Sequence, residues 1–194
     1  MSSRLLYFVR HGQTDWNATD KIQGQTDTPL NDLGRSQARR NGVTLAKALN
    51  TTDGFRFVSS PLDRARDTME IIRSEIGLPK TGYDIDERLI EVNYGDWQGH
   101  SWRELRTTKA EEIDARFADL WGTVPPSGES YQQASERIIT WLSSTRGNMI
   151  IVTHGGIMRC VHGHIAGVFH ALRPKLDVPH DKILLIENNE MHWI

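Results

Sequence analysis

Two histidines, two arginines and one glutamate hold most of the chemistry this sequence offers. Arg10 and His11 stand in Arg10-His11-Gly12-Gln13-Thr14, directly after an apolar run. Arg64 closes Ser59-Ser60-Pro61-Leu62-Asp63-Arg64, which follows a second apolar run. Glu91 lies in Ile90-Glu91-Val92-Asn93-Tyr94-Gly95, and His154 in Thr153-His154-Gly155-Gly156. A neutral imidazole can act as a nucleophile and form a covalent intermediate. Arginine forks match the oxygens of phosphate or carboxylate. Close to His11 they would also depress its pKa, leaving one ring nitrogen free to attack at neutral pH. Glycines beside both histidines allow close backbone approach, and helix N-termini add amide donors for an anion. A glutamate facing a phosphate dianion has its pKa raised and can protonate a leaving oxygen. Together these groups suit phosphoryl transfer through a phosphohistidine, with no metal needed to neutralise charge. Taken singly, each has a plainer explanation. Arg-His-Gly reads as a surface turn, Arg64 as a solvated helix residue, Glu91 as a loop acid and His154 as a hydrogen-bonded buried histidine. Their joint placement at strand ends argues for function.

The elements that must position them follow from the apolar pattern. Residues 4–9 are β-branched, aromatic and aliphatic without alternation, which predicts a strand buried on both faces of a mainly parallel sheet. Phe55–Val58 and Met149–Thr153 are similar short runs. Asn31 is placed to cap a helix with Leu33, Ala38, Leu45 and Leu49 on one side. Ser60-Pro61 reads as a cap and first-turn pair for a helix with Leu62, Ala65, Met69, Ile72 and Ile76 inward, ended by Gly77 and Pro79. A third helix is expected from about Ser130 to Thr145, with Ala134, Ile138, Trp141 and Leu142 inward, and a fourth just after Gly156. Ile183–Ile186 and Met191–Ile194, around Asn188-Asn189, predict a terminal hairpin. Its outer strand would be an edge either open to pairing with a second copy, as in a homodimer, or merely protected by charge. The expected fold is a three-layer α/β/α sandwich with a mainly parallel central sheet. Ligands in such folds bind outside the carboxyl ends of the strands. Residues 96–127, with Trp97, Trp102, Trp121 and Pro125-Pro126, break the rhythm and predict a small helical insertion over the site, a lid. Trp97, Trp102, Trp121 and Tyr131 are candidates to line an aromatic pocket beneath it.

Composition excludes other classes. The 194 residues suit one domain, 1–194. A formal net charge of −2 and a pI near 6.4 argue against a nucleic-acid partner held by a broad basic face. Positive charge for an anionic small substrate must then be concentrated in a pocket. Cys160 is the only cysteine, so no intrachain disulfide forms, which suits a reducing cytosol. The run Leu5–Val9 is too short for a signal peptide, and no run approaches membrane-spanning length, so a cytoplasmic protein without a membrane partner is expected. Cys160, His162 and His164 would not share a helix face, and no metal motif supports a bound ion. The chain contains no Gly-Lys pair, so no Walker loop.

The ordered motifs resemble those of the histidine phosphatase superfamily, which includes the cofactor-dependent phosphoglycerate mutases. Val9-Arg10-His11-Gly12-Gln13-Thr14-Asp15-Trp16-Asn17 and Gln23-Gly24-Gln25-Thr26-Asp27-Thr28-Pro29-Leu30 look like its first signature. Ser59–Thr68 looks like the second, Glu91 with Tyr94–Gly99 like the acid segment, and Thr153–Gly156 like the last. The resemblance covers nearly the whole chain. It implies that His11 is the phosphorylated nucleophile and that Arg10, Arg64 and His154 bind the phosphoryl group. It implies that Glu91 is the proton donor and then the base for water. It further implies that Asn17 contacts phosphate, that Gln23 and Gly24 line the pocket, and that Gly155 contributes a backbone amide. Arg66 matches a family position, with a structural or rim role expected. Mutases commonly read His-Gly-Asn after the second histidine and carry a paired-arginine insertion. This chain has His154-Gly155-Gly156 and no adjacent arginines in its insertion, where Arg103, Arg106, Lys109 and Arg116 stand apart. The wording therefore looks closer to broad-specificity and alpha-ribazole phosphatases. A metal-independent phosphomonoesterase on a small phosphorylated substrate is expected, with no cofactor. The alternatives are a phosphoglycerate mutase, which would need a 2,3-bisphosphoglycerate primer, and a non-catalytic phospholigand-binding protein. Sugar phosphates, a cobalamin-precursor nucleotide and phosphoprotein all stay open as substrates.

Overall fold

A computed structural model of the protein describes residues 4–188 and 190–194. Six strands form one sheet: β1 (Leu5–Arg10), β2 (Phe55–Ser59), β3 (Asp84–Ile85), β4 (Asn148–Thr153), β5 (Ile183–Glu187) and β6 (Glu190–Trp193). Their order is β3-β2-β4-β1-β5-β6. The first four run parallel, while β5 and β6 are antiparallel to their neighbours. The helices are α1 (Asp15–Ala18), α2 (Asp32–Ala48), α3 (Asp63–Glu75), α4 (Trp102–Thr108), α5 (Ala110–Ala118), α6 (Tyr131–Ser144) and α7 (Gly155–Ile165).

The sheet is central because β1 faces two cores. Leu6 and Phe8 join Ile151, Ile138, Trp141 and Val161 on the α6–α7 side. Tyr7 and Val9 join Leu45, Met69, Ile72 and Ile150 on the α2–α3 side. Successive strand side chains point to opposite faces, so an unbroken apolar run is what a two-sided sheet requires. The register sets Arg10 beside Thr153 and Ser59 beside Val152. His11, Ser60 and His154 therefore leave the sheet almost level with one another.

Asn31 caps α2 as expected, its Oδ1 accepting from the Gly34 amide at 2.9 Å. The inward face of α2 is Gln37, Ala38, Asn41, Gly42 and Leu45, with Leu33 exposed instead of inward. Gly42 lets α2 approach α3 closely, since a Cβ there would lie 2.6 Å from the Cβ of Glu75. Ser60-Pro61 does not cap α3. The helix begins at Asp63 without a cap from its Leu62 N-cap side chain, and the Asp63 amide donates to Asp27 Oδ2 at 2.6 Å. The Ser60 hydroxyl is engaged by His154 instead. Gly77 ends this helix region at φ +79, where a residue with a side chain is strained. Two-residue β3 carries no periodic signal and was not legible.

The insertion folds as a 3-10 turn (Gly95–Trp97) followed by α4 and α5. Trp97, Leu105 and Ile113 bury against Ile22, giving it a small core of its own. The terminal hairpin is present, pairing Glu187 with Glu190, and of its expected turn residues Asn189 lies outside the described ones. Among the described residues no helix is long and apolar enough to cross a membrane.

Candidate active site

The carboxyl end of β1 opens into a cavity of about 820 Å³. Its walls include Arg10, His11, Asn17, Gln23, Gly24, Arg64 and Glu91. His154 lies beside His11, with ring centroids 5.1 Å apart. The residues singled out from four distant segments therefore meet at one place.

His11 is buried, and its tautomer follows from its partners. Its Nδ1 donates to the Gly12 carbonyl at 2.7 Å. A carbonyl cannot donate, so Nδ1 carries the hydrogen and Nε2 keeps a lone pair. Arg64 Nε donates to that Nε2 at 3.3 Å. Burial holds the His11 pKa well below its usual value, aided by the nearby Arg64, His154, Arg10 and His180. Gly12 makes this turn feasible: a Cβ on it would lie 2.2 Å from the Gly34 carbonyl oxygen.

Arg64 is fully buried and ties the site to the loop before α2. It donates to the Gly24 carbonyl at 2.6 Å and the Thr26 carbonyl at 2.8 Å, and pairs with Asp27 at 3.5 Å. Gly24 itself sits at φ +54, and a Cβ there would lie 2.1 Å from Gln98 Oε1. Arg10 donates to the Val178 carbonyl at 2.7 Å, while its buried Nε has no partner among the described residues. Burial lowers its pKa to about 10, so it stays a cation at neutral pH. Gly155 gives it room, because a Cβ there would lie 3.2 Å from the guanidinium carbon. His154 pairs Nε2 with Ser60 Oγ at 2.6 Å and leaves Nδ1 buried without a partner. Orphaned buried polar groups of this kind are costly unless a ligand satisfies them.

Glu91 is held by amides. Oε1 accepts from the Val92 N–H at 2.8 Å, and Oε2 from the Gly156 N–H at 3.1 Å. A Cβ on Gly156 would lie 2.5 Å from Oε1. The His154-Gly155-Gly156 wording is thus what lets α7 meet this carboxylate. Asn17 Oδ1 accepts from the Thr14 amide, and Gln23 Oε1 from the hydroxyls of Thr14 and Thr28. With their oxygens occupied, both side chains have only N–H donors left for the cavity, which suits an anion. Gly155 lies beside Arg10 and off the cavity wall, and the α7 amide that meets the Glu91 carboxylate is that of Gly156. Arg66 stands outside, half-exposed and paired with Asp63 at 3.5 Å.

The aromatic pocket needs correction. Trp97 is buried in the core of the insertion, and Tyr131 in the main core. Trp121 faces a separate cavity of about 560 Å³ with His170 and Arg173. Only Trp102, with Tyr94, lines the site. The other indoles anchor the insertion, which has few other large apolar groups to bury. Sequence reasoning also missed Lys21, Arg103, Arg159 and His180 on the cavity wall. Arg159 was findable, lying four residues after Gly155 on the same helix face. His180, in an irregular segment, had no such signal.

Stability should fall in acid. The pKa of His154, like that of His11, is held well below its usual value, by burial and then by Arg64, Arg10 and Arg137. Once unfolded, each protonates near its ordinary value of roughly 6.5. The unfolded chain therefore binds more protons below that pH, and stability drops as pH falls toward the depressed folded values. The loss should reach about 1.4 kcal/mol per pH unit for each buried ring. Denaturant unfolding at pH 7, 6 and 5 measures it. An unchanged slope in His154→Asn would remove that ring from the account.

Residues 6–194 match the histidine phosphatase superfamily (branch 1). The chain belongs to the histidine phosphatase superfamily. Among its relatives is the Escherichia coli protein called "probable phosphoglycerate mutase GpmB", 35% identical, covering 97% of this chain and 87% of that protein. A putative alpha-ribazole-5'-P phosphatase from Escherichia coli shares the fold with a TM-score of 0.84 at 24% identity, covering 100% of this chain and 95% of that one. A mycobacterial glucosyl-3-phosphoglycerate phosphatase, solved in complex with VO3, superposes with a TM-score of 0.76 at 29% identity, covering 98% and 96%. The mixed sheet flanked by helices is that of these superfamily members.

Proposed function

We propose that this superfamily member is a metal-independent phosphomonoesterase working through a phosphohistidine on His11. The observation that carries the reading is the locked His11 tautomer, with Nε2 holding its lone pair beside Arg64. Nε2 attacks phosphorus, and the bond to the ester oxygen breaks as Glu91 delivers a proton to that oxygen. Water then attacks the phosphohistidine, Glu91 takes its proton, and inorganic phosphate leaves. Arg10, Arg64 and His154 carry the charge of the transferring group; Arg10 Nε supplies a donor for it, and His154 Nδ1 supplies another in the tautomer in which the Ser60 hydroxyl donates to Nε2. The 29% identical phosphatase and the Gly156–Glu91 fit support hydrolysis. The GpmB likeness supports a second reading, a phosphoglycerate mutase primed by 2,3-bisphosphoglycerate.

The test is inorganic phosphate release from a panel of phosphomonoesters, including 3-phosphoglycerate, with chelator present. Release that disappears in His11→Ala is the expected result. No release from any ester, with isomerisation of phosphoglycerate in the presence of a diphosphorylated primer, would favour the mutase. Glu91→Gln should slow alkyl esters by about 10²–10⁴-fold. Aryl esters of acidic phenols need less protonation and should suffer least. Equal losses across all leaving groups would take Glu91 out of the acid role.

A further inference from the structure

His11 stands between two imidazoles. His154 lies at 5.1 Å and His180 at 5.7 Å, centroid to centroid. Each gives one nitrogen to the protein and leaves the other unpartnered. For His154 the free nitrogen is Nδ1. For His180, Nδ1 donates to the His11 carbonyl at 2.7 Å, which leaves Nε2. The half-buried His180 lines the cavity, and Nε2 makes no hydrogen bond to the described residues. The segment carrying it is tied down on several sides. Arg10 donates to the Val178 carbonyl, Arg159 to the Leu176 carbonyl, and Asn41 to the His180 carbonyl. The ring is therefore placed by the fold and not left to drift.

Resting on the phosphohistidine reading, we propose that His180 is a further ligand of the phosphoryl group on His11, donating from Nε2 a proton taken up as that group binds. Among its protein partners alone, His180 is neutral at pH 7. Burial lowers its pKa to about 4, with Arg10 from β1 and Arg159 from α7 pushing the same way. The His11 carbonyl and the neighbouring Asp181 oppose them. A bare lone pair facing a phosphoryl oxygen is repulsive, whereas an N–H there is a charge-assisted donor. A dianion in the cavity thus favours the protonated ring.

His180→Asn separates the two nitrogens. Its side-chain N–H can still reach the His11 carbonyl, but nothing replaces Nε2. Calorimetric titration with inorganic phosphate, in two buffers of different ionisation enthalpy, reads affinity and proton uptake together. The variant should bind phosphate about tenfold more weakly, or worse, and take up fewer protons than the wild type. Equal affinity and equal uptake would overturn the proposal, as would a wild type that binds no phosphate. If circular dichroism shows His180→Asn unfolded, His180→Gln is titrated instead, with the same two outcomes deciding. Phosphate binding needs no turnover. A wild type that binds phosphate with proton uptake yet hydrolyses no ester would count against the phosphatase reading alone.

Discussion

His11→Ala is expected to cut turnover by about four orders of magnitude or more, since on the proposed mechanism it removes the atom that bonds to phosphorus. The loss should appear in kcat for every ester, regardless of leaving group. Phosphate binding should persist, because Arg10, Arg64 and His154 are positioned by partners other than the His11 side chain: Val178, Gly24 with Thr26, and Ser60. Quenching the wild type in alkaline detergent during turnover of a labelled ester should trap a protein-bound phosphoryl group that is stable in base, labile in acid and absent from the variant. The fold should survive. A buried ring costs stability in acid when it must stay neutral, so the variant should be less acid-sensitive than the wild type. Substantial turnover by His11→Ala would end the phosphohistidine mechanism, whatever the family likeness.

Arg64→Ala should damage both activity and stability. The fully buried guanidinium holds the Gly24 and Thr26 carbonyls, Asp27 and the His11 ring at once. Removing it strands two backbone acceptors and leaves Asp27 without its cation. Breaking a buried charged network from one side costs about 3–5 kcal/mol. The loop it ties down also carries Gln23 and Gly24, so the cavity wall should loosen with it. If Arg64 also stabilises the transferring group as proposed, kcat/KM should fall by a further factor of about 10²–10³. Arg64→Lys keeps a charge but not the planar fork, and should recover little of either. Denaturant unfolding and kcat/KM on one ester check this together. Stability within about 1 kcal/mol of wild type would disprove the staple. A rise in KM alone would mean that Arg64 binds substrate and transition state equally.

The site was legible because its residues sit at strand ends, and strand ends are marked locally. An unbroken apolar run stops at Arg10-His11, and another stops at Thr153-His154. The sheet then sets those ends level, through pairings such as Arg10 with Thr153. Helix faces were legible where the 3.6-residue period dominates, as in α3 and α6, whose inward residues Ala65, Met69 and Ile72, and Ala134, Ile138 and Trp141, are buried. At α2 the expected grouping of Leu33 with Ala38 and Leu45 failed, because at about 100° per residue Leu33 lies roughly 140° round the helix from Ala38, and it is exposed.

By itself, the sequence determined the two-faced strands, the alternation of the principal strands and helices, and the polar groups that stand at the strand ends. Those properties depend on neighbours within a few residues, through side-chain alternation, helical period and capping. Only the tertiary structure decided how those groups are used. It assigned the Ser60 hydroxyl to His154 and the start of α3 to Asp27, and it set the Gly156 amide against Glu91. It turned Trp97 into an anchor and brought His180 to the His11 carbonyl, 169 residues away in the chain. Local sequence cannot carry such pairings, because a buried donor or acceptor takes whichever partner the packed fold brings within about 3 Å.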